Sequence, residues 1–266
     1  MDTPNATSND ANLPGEPYPS PIRGQSGVAM SGWNVRWMAS TGSTNDDLLA
    51  AGRAGAPDKT VLIADHQTAG KGRLDRRWET PAGENLLVSL LFRAVPAVPH
   101  ALTHAAALAS ATACERTTGV TPDLKWPNDL LVGGRKLAGI LSTAGPLGGE
   151  QPRPTFVVVG IGLNIGWAPE GAASLLGESG RRVSREEVMA VMLSELDELL
   201  SLSPEQLHDR YRRRLSTLNR EVRVELPNST FVEGRALDVE SDGRLVVLDS
   251  CGATHRLDVG DIVHLR

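Results

Sequence analysis

The sequence predicts an α+β protein with a small all-β module at its C-terminal end. Three observations carry this reading. From Trp33 to about residue 218, short apolar runs of strand length alternate with stretches of helical period. After about residue 219 the helical period vanishes, and runs of alternating polarity recur between Pro-Asn, Ser-Asp-Gly and Ser-Cys-Gly turn signals. The first 30 residues are rich in Pro, Asn, Ser and Gly, including Pro14, Pro17, Pro19 and Pro21. They bury too little apolar surface to offset their ordering entropy. The expected organisation is a disordered tail over 1–30, a large domain over 31–218 and a small β-barrel over 219–266.

Within the large domain, residues 61–64, 86–92 and 156–159 are apolar runs that read as buried strands. Residues 100–113 are Ala-rich and free of Gly and Pro, which favours a helix. Ser184-Arg185-Glu186-Glu187 matches a capping box, followed by Val188, Val191, Met192, Leu196 and Leu199 on one helical face. Ser203 caps a second helix with Pro204 at its first position, and Leu207, Tyr211 and Leu215 form its apolar stripe. In the small module, Val222, Val224 and Leu226 alternate with charged residues. Strand-like runs follow at 231–239, 244–248 and 254–258. No internal repeat is visible.

Composition narrows the function. The net charge is −5, so no global basic field draws the chain to nucleic acid. The segment 220–266 holds six Arg, no Lys and nine Asp or Glu, an acidic balance that argues against reading nucleic acid there. Cys114 and Cys251 lie far apart without CxxC spacing, which excludes a disulfide scaffold and a cysteine-based zinc site. No apolar run reaches the ~18 residues of a membrane span. The start, Met1-Asp2-Thr3-Pro4, lacks the basic and apolar regions of a secretory signal. A cytoplasmic protein with no membrane partner is expected.

Four polar segments interrupt the apolar elements. Ser43-Thr44-Asn45 follows Gly42 and reads first as a helix N-cap before Leu48 and Leu49, compatible with facing a ligand. Gln67-Thr68-Ala69-Gly70-Lys71-Gly72-Arg73, closing with Arg76-Arg77-Trp78, follows a strand directly. Its glycines let backbone N–H groups converge on an anion, and Lys71, Arg73 and Arg76 add charge. A solvated basic turn or a nucleic-acid patch is the plain alternative, and neither a Walker A loop nor a dinucleotide fingerprint is present. Lys125-Trp126-Pro127-Asn128-Asp129, then Gly133-Gly134-Arg135-Lys136-Leu137-Ala138-Gly139-Ile140, reads as a hairpin with a Gly-Gly turn. Two lysines, an amide and a carboxylate stand there between apolar runs, and a lysine beside an apolar wall is a good point charge for phosphate. In Gly160-Ile161-Gly162-Leu163-Asn164, glycines at alternate positions bare one face of a strand, so another backbone or a flat ligand can approach. Asn164 needs partners for its amide, and a structural hydrogen bond would serve it as well as a ligand.

Taken in order, STN, GKGR with a following RW, KWPND with RKLAGIL, and GIGLN resemble the biotin–protein ligases over roughly residues 33–266. The segment from Lys125 to Ile140 is the specific part. The resemblance implies a mixed, mostly antiparallel sheet with flanking helices, related to class II aminoacyl-tRNA synthetases, plus an SH3-like C-terminal barrel. It implies the monofunctional type, because the first 30 residues do not match an N-terminal DNA-binding domain. It places Ser43, Thr44, Asn45 and Gln67 in the biotin pocket. Lys71, Gly72 and Arg73 become the loop over biotin and adenylate, and Lys136 meets the biotin carboxylate or α-phosphate. Arg76, Trp78, Asn128 and Asn164 are put near the adenylate, and Asp129 near the reacting phosphate or acceptor lysine. Lys136, Arg73 and Asp129 form the implied catalytic set. Two departures stand out: Lys71 replaces the family's usual arginine, and Leu74-Asp75 replaces a more basic, glycine-rich stretch.

The implied reaction needs no enzyme nucleophile. Biotin's carboxylate attacks the α-phosphate of ATP, pyrophosphate leaves, and a lysine of a biotin carboxyl carrier domain then displaces AMP. The implied partners are biotin, ATP with Mg²⁺ and that carrier domain of an acyl-CoA or pyruvate carboxylase. A monomer or a weak ligand-dependent homodimer is implied. The rivals are a lipoate–protein ligase, a biotin-sensing DNA repressor and a non-catalytic nucleotide-binding module. The missing DNA-binding features count against the repressor.

Overall fold

The computed structural model describes residues 32–74, 76–149, 152–227, 230–258 and 260–265. The expected tail at 1–30 lies outside these residues.

In chain order the large domain runs β1 (Asn34–Thr41), α1 (Thr44–Arg53), β2 (Thr60–Gln67), β3 (Leu86–Phe92), α2 (His100–Thr118), β4 (Asp123–Lys125), β5 (Asp129–Val132), β6 (Arg135–Ala144), β7 (Leu147–Gly148), β8 (Arg153–Pro154) and β9 (Val157–Leu163). Three helices follow: α3 (Leu175–Ser179), α4 (Arg185–Leu200) and α5 (Pro204–Arg214). Seven strands form one sheet in the order β1-β2-β3-β9-β6-β5-β4, in which only the β1–β2 pairing is parallel. This is the mixed, mostly antiparallel sheet that the resemblance implied.

Alternation along the strands sorts the core onto two faces. On one face Leu62, Leu91 and Val158 pack with Leu48 and Leu49 of α1 and with Phe156. On the other, Val61, Ile63, Val88, Leu90, Val159 and Ile161 join α2 and α4 in the main core. Helix α2 runs to Thr118, five residues past the Ala-rich stretch, because only Gly119, at φ 78°, stops it. Strand β1, with half-exposed Trp37 and exposed Met38, carries no clean alternation and was not anticipated. The Ser184 box is half made: its hydroxyl accepts from Glu187 N at 3.0 Å, whereas the reciprocal pair is complete only at Ser203 and Gln206.

The C-terminal strands β10 (Glu221–Glu225), β11 (Phe231–Val239), β12 (Leu245–Leu248), β13 (Thr254–Leu257) and β14 (Asp261–His264) form one antiparallel sheet, ordered β13-β12-β11-β10-β14. Strand β14 is additional to the runs read from sequence. The small module does not stand apart. Val222, Val224, Ala236, Leu245 and Val247 belong to the same buried cluster as α2 and β3. Buried Trp126 donates its indole N–H to the Gly243 carbonyl at 2.8 Å.

At this seam lies His104, 5% exposed, its ring stacked on Tyr211 at 3.7 Å between centroids. Burial, with His100 and His208 nearby, pushes His104 down to about 3. A depressed histidine stays neutral in the fold while its unfolded counterpart takes a proton. Its stabilising contribution is therefore complete above the ordinary value of 6.5 and is lost as pH falls from there toward about 3. The expected slope is about 1.4 kcal/mol per pH unit for this one group. Urea midpoints at pH 7 and pH 5 for the chain and for His104→Phe should show a smaller acid loss in the variant. Equal losses would contradict this account.

Candidate active site

The site begins with the bare positions of the sheet. Gly160 and Gly162 of β9 sit on the α1 face, and Gly139 of β6 pairs with Gly162. A methyl group on Gly162 would stand 2.7 Å from the Trp78 indole nitrogen, and one on Gly139 would lie 3.2 Å from both Trp78 and the Lys136 ammonium. One on Gly160 would meet the Asn45 amide nitrogen at 2.7 Å. The glycine stripe thus admits side chains from α1 and from the loop after β2. Where another backbone or a flat ligand was expected over the stripe, the protein's own Trp78 indole lies instead. Beside it opens a cavity of about 260 Å³. Every site residue expected from the sequence lines it: Ser43, Thr44, Asn45, Gln67, Lys71, Gly72, Arg73, Arg76, Trp78, Asn128, Asp129, Lys136 and Asn164.

One group of lining residues is made of hydroxyls and amides. Ser43 holds the N-cap position of α1, but its hydroxyl makes no cap bond. Gln67 of β2 does that work: its Oε1 accepts from Thr44 N at 2.7 Å and from the Thr44 hydroxyl at 3.0 Å. A backbone N–H can only donate, so the oxygen of Gln67 faces Thr44 and its NH₂ is left for another partner. Thr44 also lies 2.9 Å from Ser89, a buried hydroxyl in the otherwise apolar β3. The Asn45 amide donates to Leu141 O at 3.1 Å, while its Oδ1 is buried without a partner. A buried acceptor left open costs free energy unless a ligand or water satisfies it.

A second group is cationic. The loop from Gly70 to Trp78 folds into a tight turn, with Trp78 N donating to Gly70 O at 3.0 Å and Gly72 N to Arg76 O at 2.7 Å. Three of its four cations, Lys71, Arg73 and Arg76, are engaged within the protein. Lys71 pairs with Asp46 at 2.7 Å. Arg73 donates to Gly260 O at 3.1 Å and to Asn128 Oδ1 at 3.4 Å, and its Nη1 stands 3.8 Å from Asp261. Arg76 pairs with the same Asp261. Burial pulls the Arg73 guanidinium below its usual value, Asp261 and Asp129 pull it back up, and Arg76 lowers it. The carboxylate of Asp261 holds these arginines where an anionic ligand would be drawn. Sequence reading missed it, because Asp261 belongs to the small module and carries no motif.

Three of the expected residues have partners within the protein. Lys136 is not an isolated charge: it meets Asp129 at 2.6 Å and lies 5.7 Å from the centre of the Trp78 ring. Lys136 reaches Asp129 across the bare position of Gly139. Both asparagines thought to face the adenylate spend their amides on the protein. Asn128 donates to Ile140 O at 2.7 Å. Asn164, 2% exposed, donates to Ala173 O at 3.0 Å and accepts from Asn85 at 3.2 Å. Asn85, also missed, accepts in turn from Ile165 N at 2.9 Å and Trp167 N at 3.2 Å. Among the described residues no cluster of three His, Cys, Asp or Glu could hold a metal ion.

Residues 37–164 match the Biotin/lipoate A/B protein ligase family, and residues 217–265 match the Biotin protein ligase C terminal domain. The chain is 41% identical over 261 residues to the biotin–[acetyl-CoA-carboxylase] ligase of Mycobacterium tuberculosis, covering 92% of this chain and 94% of that protein. It belongs to the biotin protein ligase family. The bifunctional ligase/repressor BirA of Escherichia coli is a more partial relative of this ligase-family chain, 31% identical over 65% of the chain and 55% of that protein. A biotin protein ligase from Aquifex aeolicus, solved with biotin and ATP, superposes with a TM-score of 0.73 at 24% identity. It covers 87% of this chain and 98% of that one, and at that identity the likeness speaks for the ligase fold alone. No described helix is long and apolar enough to cross a membrane.

Proposed function

We propose that the chain joins biotin to AMP and transfers the biotinyl group to a lysine of a biotin carboxyl carrier domain. Residues 31–218 form the catalytic part, and 219–266 the module that reaches it through Asp261. One observation carries the reading: a single cavity brings an amide–hydroxyl cluster and a cationic cluster onto the same glycine-bare face. Biotin has the matching halves, a cyclic urea that hydrogen-bonds and a carboxylate that must meet a phosphate.

Ser43, Thr44, Asn45 and Gln67 take the ureido ring. The open Asn45 Oδ1 accepts a ring N–H, and the free NH₂ of Gln67 donates. Trp78 walls the pocket. Lys136 leaves Asp129 for the carboxylate or α-phosphate, and Arg73 and Arg76 leave Asp261 for the phosphate. Biotin's carboxylate oxygen then bonds to the α-phosphorus as the bond to pyrophosphate breaks. Fixed cations and N–H groups offset the charge gathered when two anions meet. Closure of the loop over 70–77 shields the acyl-adenylate from water. A neutral acceptor lysine attacks the acyl carbon, AMP leaves, and an amide forms. Mg²⁺ bound with ATP would screen the pyrophosphate. Such an ion needs few protein carboxylates, because it keeps waters and binds substrate phosphates. Asn128 and Asn164 shape the adenylate side through the backbone they hold.

Biotin is favoured over lipoate by the match at 217–265 to a C-terminal domain named for biotin ligases. The repressor reading is disfavoured, since the match spans 94% of a relative named as a ligase but about half of the bifunctional ones. A cytoplasmic monomer or weak ligand-dependent dimer completes the proposal. The test supplies the chain, ATP and a carrier domain with labelled biotin or lipoate. Label on the carrier lysine is expected from biotin alone. Transfer of lipoate in preference to biotin would sink the assignment.

A further inference from the structure

Lys125 opens the most specific motif of the chain, yet it does not line the cavity. Its position explains why it is there. Lys125 of β4 is directly opposite Asp129 of β5, which is directly opposite Gly139 of β6. Opposite residues project to the same face, with Cβ atoms about 5 Å apart in a regular pair. The row therefore runs lysine, carboxylate, bare glycine. Lys136 lays its side chain across that bare position, within 3.2 Å of where a Gly139 methyl would be, and reaches Asp129 at 2.6 Å. Asp129 thus stands between two lysines and is bonded to one. Among the described residues Lys125 forms no hydrogen bond or close ion pair, although it is half-buried.

An ammonium that is half-buried and unpaired is costly unless it has a use. We propose that Lys125 is the stand-by counter-ion of Asp129: when Lys136 leaves for the anionic ligand, Lys125 takes over the carboxylate. Lys125 is then a positioning residue, acting through Asp129 on Lys136. The exchange keeps Asp129 from either recapturing Lys136 or lying unpaired in the wall of the site. The electrostatics agree in direction. Burial pulls the Lys125 ammonium below the usual lysine value, Asp129 raises it, and Lys136 lowers it.

The inference rests on the ligand-binding role given to Lys136 above. Its test is single-turnover formation of biotinyl-adenylate by the full chain and by Lys125→Met, Lys125→Arg, Asp129→Asn and the Lys125→Met/Asp129→Asn pair. Lys125→Met should slow the step roughly tenfold, in the range of coupling between neighbouring charges. Lys125→Arg should keep most of the rate. The double variant should be no slower than Asp129→Asn, because a neutral residue 129 needs no second lysine. A wild-type rate for Lys125→Met, or losses that simply add, overturns the proposal. Lysine side-chain NMR during titration with inorganic pyrophosphate needs no turnover. The Lys125 signal should move together with that of Lys136, and should stop doing so in Asp129→Asn. A Lys125 signal that stays still overturns the exchange. Coupled shifts in a chain that makes no adenylate would count against the ligase reading and leave the exchange standing.

Discussion

Lys136→Ala is expected to cut the rate of biotin adenylation by about a hundredfold to a thousandfold, the usual effect of removing one fixed positive group from a developing anionic centre. The fold should survive. The Lys136 side chain is 41% exposed, and its pair with Asp129 joins two partly solvated groups. Such a pair contributes about 1 kcal/mol at most. Circular dichroism and the urea midpoint should therefore change little while pyrophosphate release falls away. Release at the unsubstituted rate would remove Lys136 from the chemistry.

Gly162→Ala should be nearly as damaging, for a steric reason. Alanine in a strand interior is ordinarily no worse than glycine. Here its methyl would stand 2.7 Å from the indole nitrogen of Trp78 and 2.8 Å from a ring carbon. The indole must move off the glycine stripe, and it carries the wall of the pocket with it. Overpacking of this kind costs about 1–3 kcal/mol. A shift in tryptophan fluorescence and a biotin affinity about fivefold to 150-fold weaker by calorimetry are expected from that range. Unchanged affinity with unchanged fluorescence would mean that the stripe does not seat Trp78 as described.

Much of the fold was legible because the signals were local. Strand β3 coincides with the apolar run at 86–92, and α5 starts at the proline after Ser203. Alternating glycines at 160 and 162 announced a bared strand face, which is where the cavity lies. The misses share a cause. The Asp261 contact to Arg76 spans 185 residues, so no window of sequence contains both charges. Ser89 looks like a polar interruption of a buried strand, and only the fold brings Thr44 to it. Lys136 read as solitary because its partner Asp129 sits across a hairpin, reached over a residue with no side chain. Gln67 as the cap of α1 was hidden for the same reason, since the sequence offered Ser43 in the usual place.

Those corrections leave four cations of the site each held by a carboxylate: Lys71 by Asp46, Arg73 and Arg76 by Asp261, Lys136 by Asp129. Under the proposed function, phosphate and biotin carboxylate would compete for the same groups. On the proposed reading, an arriving anion would replace one partner by another without exposing a bare charge.

Exchange of labelled pyrophosphate into ATP isolates the first half-reaction and tests this account most directly. The chain should catalyse that exchange only when biotin is present, without any acceptor protein, and lipoate should not replace biotin. Exchange that proceeds equally without biotin, or none at all from a folded chain that binds both ligands, would contradict it.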